Sequence, residues 1–252
     1  MTWEPDEELG ESAPPALPTD DELRPTLVLL PGMLGDDRLF ESVMAELGSR
    51  LACRPMRIDV DDAVGEMAAS VLAAAPRRFA LAGHSLGGIV ALEMARRAPE
   101  RVSHLAVLNS SPRPPTDAQL AAWSALHDRV IDGEFAAVVE EQATLNLGPA
   151  ASDSTARRRW IDMARRVGDD GFLRQLRAQA GRHDQRPELA AIEVPVLVVS
   201  GGDDAVCPQE IQAELAGAVP GAVHEVIDGA GHMTPLDHPV QLARLIDTWL
   251  AR

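Results

Sequence analysis

Short apolar runs alternate with segments of helical period along most of this chain, and that alternation limits the fold more than any other feature. TLVLLP (26–31), ACRPMRIDV (52–60), RFALAGH (78–84), SHLAVLNS (103–110), VPVLVVSGG (194–202) and HEVID (224–228) read as strands. Between and after them, residues 36–48, 61–75, 86–99, 208–221 and 239–252 carry apolar residues at three- and four-residue spacing, the mark of a helix with one buried face. Strand–helix alternation builds a parallel sheet covered by helices on both faces.

The alternation stops once. Between Pro112 and Pro187 the strand pattern is absent, and residues 117–133, 134–148, 154–168 and 170–182 each fit a helix. An all-helical insertion at the carboxyl edge of a parallel sheet usually covers the site there. The expected organisation is therefore an acidic, Pro-rich N-terminal tail (1–24), a first core part (25–111), a helical cap (112–187) and a second core part (188–252).

Composition removes several chemistries. All 23 basic residues are Arg, and the chain has neither Lys nor Tyr. A phosphate-binding loop lysine, a pyridoxal Schiff base, a lysine aldolase and a Tyr/Lys reductase pair are all excluded. The net charge of −16 opposes non-specific binding to nucleic acid or to an anionic membrane. Cys53 and Cys207 are too few for a disulfide framework or a Cys-rich zinc site, and buried thiols are expected. The remaining histidines (84, 104, 127, 183, 224, 238) follow no metal-ligand spacing, so no metal is expected. The first 15 residues lack the basic and apolar regions of a secretory signal, and no apolar run reaches 18 residues. A cytoplasmic location is the expectation.

Gly83-His84-Ser85-Leu86-Gly87 matches G-x-S-x-G. The pentapeptide alone is a weak signal; its setting makes it specific. It follows an apolar strand and opens a helix, as a nucleophile elbow must. Gly83 and Gly87 suit a turn that crowds its neighbours, and Gly88 suits close packing of helix on sheet. A serine hydroxyl needs a base, and the base needs an orienting carboxylate. The loops after two later strands offer these in the order acid then base: Gly201-Gly202-Asp203-Asp204 and Gly229-Ala230-Gly231-His232.

With LLPGMLGD, GHSLGG, PVLVVSGGDDAVCP and GAGHMTPLDHP all present, the chain from about residue 25 onward resembles the α/β-hydrolase superfamily. It is most similar to the small capped esterase and lactonase-like members. The resemblance implies a mostly parallel sheet; many members begin with an antiparallel hairpin that the acidic tail here does not show, so a trimmed sheet of about six strands is expected. It implies Ser85 as nucleophile, His232 as general base and Asp204 as acid, with Asp203 the adjacent alternative. It implies an oxyanion hole from the backbone N–H groups of Leu86 and Met33. The family often has His-Gly-x at the second of these loops; here the residues are Pro31-Gly32-Met33, which keeps the donor and drops the histidine.

Residues 157–186 hold nine Arg and four acids. Most such residues make ion pairs or a solvated face, but Arg182 and Arg186, where the cap rejoins the core, are candidates to bind a substrate anion. Met33, Trp123 and Trp160 are candidates for an acyl pocket, packing in the cap or core being the alternative for each Trp. The expected activity is hydrolysis of a small-molecule ester, lactone or thioester through an acyl-enzyme, with no cofactor. C–C bond hydrolysis, a lyase or acyl transfer with the same triad, or a ligand receptor on the same fold, are the alternatives. A dehalogenase, whose nucleophile would be Asp, is disfavoured.

Overall fold

The structure, a computed structural model, describes residues 26–147 and 155–252; the tail expected over 1–24 lies outside them. Six strands form one sheet: β1 (Thr26–Leu30), β2 (Ala52–Pro55), β3 (Phe79–His84), β4 (Val102–Leu108), β5 (Val196–Gly201) and β6 (Val223–Ile227). Their order is β2-β1-β3-β4-β5-β6, and every neighbouring pair is parallel. The fold is that of an α/β hydrolase, and the described sheet has no antiparallel hairpin.

The central strands read as unbroken apolar runs because both faces are covered. Side chains alternate between two cores at a period of two residues. On one face Leu27, Leu29, Ala82, Leu108 and Val199 join α1 (Glu41–Leu47), the closing helix α8 (Pro239–Leu250) and cap residues such as Trp160 and Phe172. On the other, Val28, Leu30, Leu81, Val107 and Val198 meet α2 (Val64–Ala74), α3 (Leu86–Arg97) and α7 (Gln209–Ala218). The cap core is thus continuous with one sheet face.

ACRPMRIDV contributes only its first four residues to the sheet. The last register pair is Leu29 with Pro55, and the Met56 N–H still donates to the Leu29 carbonyl at 2.9 Å. Beyond that point no strand pairing is found among the described residues, and Arg57 folds its guanidinium onto Asp59.

The cap comprises α4 (Asp117–Ile131), α5 (Phe135–Asn146) and α6 (Thr155–Ala180). Thr116 and Gln119 form a capping box at the start of α4. The two helices expected over 154–182 run as one element broken at Gly168, whose φ of 74° leaves the helical region. Only glycine takes that conformation without strain. The ends of the cap meet where the Gln185 N–H donates to the Pro112 carbonyl at 2.9 Å. A short 3-10 helix, Arg186–Ala191, then leads into β5; its residues carry no periodic signal in the sequence.

Candidate active site

The carboxyl ends of β3, β4 and β5 and the loop after β6 converge under the cap. Ser85 occupies the turn from β3 to α3 with φ 52° and ψ −116°, a conformation that costs a non-glycine residue about 1–3 kcal/mol. The surroundings enforce it. The Ser85 N–H donates to the Leu108 carbonyl at 2.9 Å, and its own carbonyl accepts from Ser110 Oγ at 2.7 Å. A Cβ on Gly83 would stand 2.1 Å from the Gly87 carbonyl oxygen, and one on Gly87 would stand 2.4 Å from that of Leu30. Both contacts are with backbone, so nothing can yield, and the two glycines are what let the turn close.

His232 follows β6 and is buried, 3% exposed. Its Nε2 lies 2.9 Å from Ser85 Oγ. On its other side Nδ1 lies 2.9 and 3.1 Å from the two oxygens of Asp204. The Asp204 carboxylate is fully engaged. Oδ1 accepts from the N–H groups of Val206 and Cys207, each at 2.8 Å, and Oδ2 accepts from Asn109 Nδ2 at 2.9 Å. Burial pushes this carboxyl's pKa up, but the His232 charge and the hydrogen bonds from His232, Cys207 and Asn109 outweigh it, holding the group below the usual carboxylate range. A carboxylate that accepts at Nδ1 fixes the imidazole with its proton there and leaves Nε2 free to accept from the serine hydroxyl. Asp203, by contrast, is exposed and ties back through its N–H to the Ala230 carbonyl.

Leu86 is the first residue of α3, so its N–H is one that the helix cannot satisfy and it sits at the positive end of the helix dipole. Met33 and Leu34 follow β1 and line the same cavity as Ser85. Leu34 has φ 59°, and its N–H donates to Gln175 Oε1 of α6 at 2.9 Å. The loop that carries the Met33 N–H is thereby pinned to the cap.

Above Ser85 lies a cavity of about 280 Å³. Its floor includes His84, Ser85 and His232, and its roof includes Trp123, Trp160 and Arg182 of the cap. Trp160 is also part of the core, 1% exposed. Arg182 is buried and its guanidinium carbon is 5.3 Å from the Trp123 ring centroid. Arg186 is not brought to the cavity. It is exposed and forks onto Asp184, with a second pair to Glu214 at 3.4 Å. Three residues separate the two arginines, but only Arg182 lines the cavity. Cys207 lines the cavity as a free thiol, and burial pushes its pKa up, which keeps it un-ionised.

Three further contributors have no role assigned by a motif, although one of them, His84, is a variable position of G-x-S-x-G. Asn109 directly follows β4, and its side-chain oxygen accepts from the Thr234 hydroxyl at 2.6 Å. His84 donates from Nε2 to the His232 carbonyl at 2.8 Å, which steadies the loop carrying His232. Gln175 is the third. A position directly after a strand was the signal available for Asn109, the same one that marks the loops of Asp204 and His232. Elsewhere, Glu93, His183 and Glu188 bring three ligand atoms within 4.8 Å of one another, but Glu93 is already held by both Arg96 and Arg97.

A model of the alpha/beta hydrolase family matches residues 5–245. The chain belongs to that family. It is an enzyme of the α/β-hydrolase type. It is 26% identical over 251 residues to a protein of Pseudomonas syringae pv. syringae named as the carbamate hydrolase RutD, covering 90% of this chain and 94% of the relative. It is 28% identical over 201 residues to the pimeloyl-[acyl-carrier protein] methyl ester esterase of Serratia marcescens, covering 75% and 76%. Among solved structures, a thermophilic esterase from Thermogutta terrifontis superposes with a TM-score of 0.81 at 22% identity, over 90% of this chain and 89% of that one. The last likeness is one of fold. No helix among the described residues is long and apolar enough to cross a membrane.

Proposed function

We propose that this α/β hydrolase cleaves a small carboxylic ester, lactone or thioester through an acyl-enzyme on Ser85. The observation that carries the reading is the continuous line from Ser85 Oγ to His232 Nε2, 2.9 Å, and from His232 Nδ1 to Asp204 Oδ2, 2.9 Å. The ester cleaved by the Serratia relative supports the same class of bond.

Ser85 Oγ attacks the acyl carbon as His232 Nε2 takes its proton. Asp204 keeps the imidazole in the tautomer that can accept it and stabilises the imidazolium that forms. Negative charge develops on the former carbonyl oxygen, where the N–H groups of Leu86 and Met33 receive it. Collapse of this intermediate breaks the acyl–oxygen or acyl–sulfur bond, and His232 returns the proton to the leaving group. Water then attacks the acyl-Ser85 ester, losing a proton to His232; the bond from the acyl carbon to Ser85 Oγ breaks, His232 returns the proton to Oγ, and the acid is released. The closed cap excludes bulk water while the charges form. Every group used is a side chain or backbone N–H of this chain.

The test is turnover of a panel of nitrophenyl esters, lactones and thioesters of graded length by the wild type and by Ser85→Ala. Turnover by the wild type and its loss in the variant are expected. A wild type inert on all three classes would overturn the reading.

A further inference from the structure

Arg182 is the one buried arginine among the described residues, 8% exposed, in a chain whose net charge is −16. It follows the last cap helix and lines the cavity shared with Ser85 and His232. All its hydrogen-bond partners among the described residues are neutral. Nε donates to the Arg113 carbonyl at 3.0 Å, one terminal nitrogen donates to Gln179 Oε1, and the other lies 3.5 Å from Gln119 Oε1. That last acceptor is already engaged by the Thr116 N–H at 3.0 Å. The Trp123 ring stacks against the guanidinium at 5.3 Å.

Of the other cap arginines, Arg158, Arg159 and Arg174 also have neutral partners (Thr155 Oγ1, Ser42 Oγ and the Asp59 carbonyl), but these three are exposed or half-buried; the rest reach carboxylates. Arg157 pairs with Glu140 at 2.6 Å, Arg166 with Asp36 at 3.1 Å, Arg177 with Asp62 at 3.1 Å and Arg186 with Asp184 at 2.6 Å. None of the described Asp or Glu residues pairs with Arg182, and none of them lines the cavity. A guanidinium has five N–H donors, and only three have acceptors among the described residues. A buried cation held by neutral groups alone is costly. The same burial lowers its pKa. A bound anion would remove most of that cost, and the planar fork matches a carboxylate.

We infer that Arg182 anchors a carboxylate of the substrate, so that the cavity takes an ester or lactone bearing a free carboxylate away from the bond that is cut. The inference rests on the serine-hydrolase reading of the same cavity. A volume of about 280 Å³ is at the low end for ligand pockets, which restricts the acid to a short one. Trp123 packs against the guanidinium, and the two N–H groups without a described acceptor are the ones a ligand would take. Gln119 and Gln179 hold the plane of the fork.

Two measurements separate this inference from the reading it rests on. The first is calorimetric binding of succinate, glutarate and adipate, with the corresponding diamides as neutral controls, to the wild type, Arg182→Gln and Arg182→Lys. At least one acid should bind more tightly than its diamide. Arg182→Gln should weaken it by about 10- to 100-fold, the range of a charge-assisted bidentate contact. Arg182→Lys, which keeps the charge and loses the fork, should fall between. Equal binding of acids and diamides, or of wild type and Arg182→Gln, would overturn the inference.

The second is kcat/KM for nitrophenyl hemiesters of those acids against nitrophenyl butyrate, valerate and hexanoate. The loss in Arg182→Gln should be at least tenfold larger on the acidic series and should fall in KM. Equal losses on the two series would identify Arg182 as a strut of the cap and overturn the inference. A wild type that binds the acids but cleaves neither series would leave the anchor standing and remove the hydrolase reading.

Discussion

The side-chain amide of Asn109 donates to Asp204 Oδ2 at 2.9 Å while its oxygen accepts from Thr234 at 2.6 Å. Asn109 itself sits at φ 48°, with its N–H on the Val199 carbonyl at 2.8 Å. Asparagine tolerates that backbone region better than most residues. The residue therefore does two things at one strand end: it turns the chain toward the cap and it holds the carboxylate that faces His232.

Asn109→Ala should leave a buried carboxylate oxygen with one donor fewer. Hydrogen bonds to charged groups contribute about 1.5–3 kcal/mol, so kcat should fall roughly 10- to 100-fold with little change in KM. Asn109→Asp should cost more, because two carboxylates would then face each other. Steady-state kinetics of both variants check this, and an unchanged kcat in Asn109→Ala would show that Val206 and Cys207 suffice to hold the acid.

Asp204→Asn should lower kcat by a factor on the order of 10⁴, since the amide favours the wrong imidazole tautomer. Asp203→Asn, at an exposed position, should change it by less than about tenfold. The reverse ranking would assign the acid to Asp203.

These two carboxylates mark the limit of what the sequence discloses. The strands and helices were legible because burial on both sheet faces demands continuous apolar runs, and the broken period of 112–187 exposed the cap. The loops of Ser85, Asp204 and His232 were legible because each directly follows such a run. Asn109 holds the same kind of position but has no motif around it. The contact of Gln175 with Leu34 joins residues 141 apart, and only the closed cap brings them together. Arg182 and Arg186 are alike in sequence; burial against Trp123 in one case and an exposed fork onto Asp184 in the other separates them. β2 stops at Pro55, where its register with β1 ends, a limit that apolar content alone does not reveal.

His84 links the site to acid stability. Burial, and then the charge of His232, bring its pKa down to about 3, against about 6.5 in an unfolded chain. Between those values the unfolded state binds a proton that the folded state does not, so stability falls as pH drops from about 6.5 to about 3. The slope is up to about 1.4 kcal/mol per pH unit, and the contribution levels off at lower pH. His84→Gln keeps a donor for the His232 carbonyl and removes this titration. Denaturant unfolding at pH 7 and pH 5 should show the variant losing about 2 kcal/mol less than the wild type over that interval. Equal losses would mean that His84 does not stay neutral in the folded protein.

The most direct test of Ser85 as the nucleophile is covalent labelling with a fluorophosphonate, read by intact mass and peptide mapping in the wild type and in Ser85→Ala. Expected is one adduct, on Ser85 in the peptide containing GHSLGG, absent from the variant, with kcat in the variant reduced roughly 10⁴- to 10⁶-fold. An adduct on any other serine, or turnover that survives in Ser85→Ala, would contradict it.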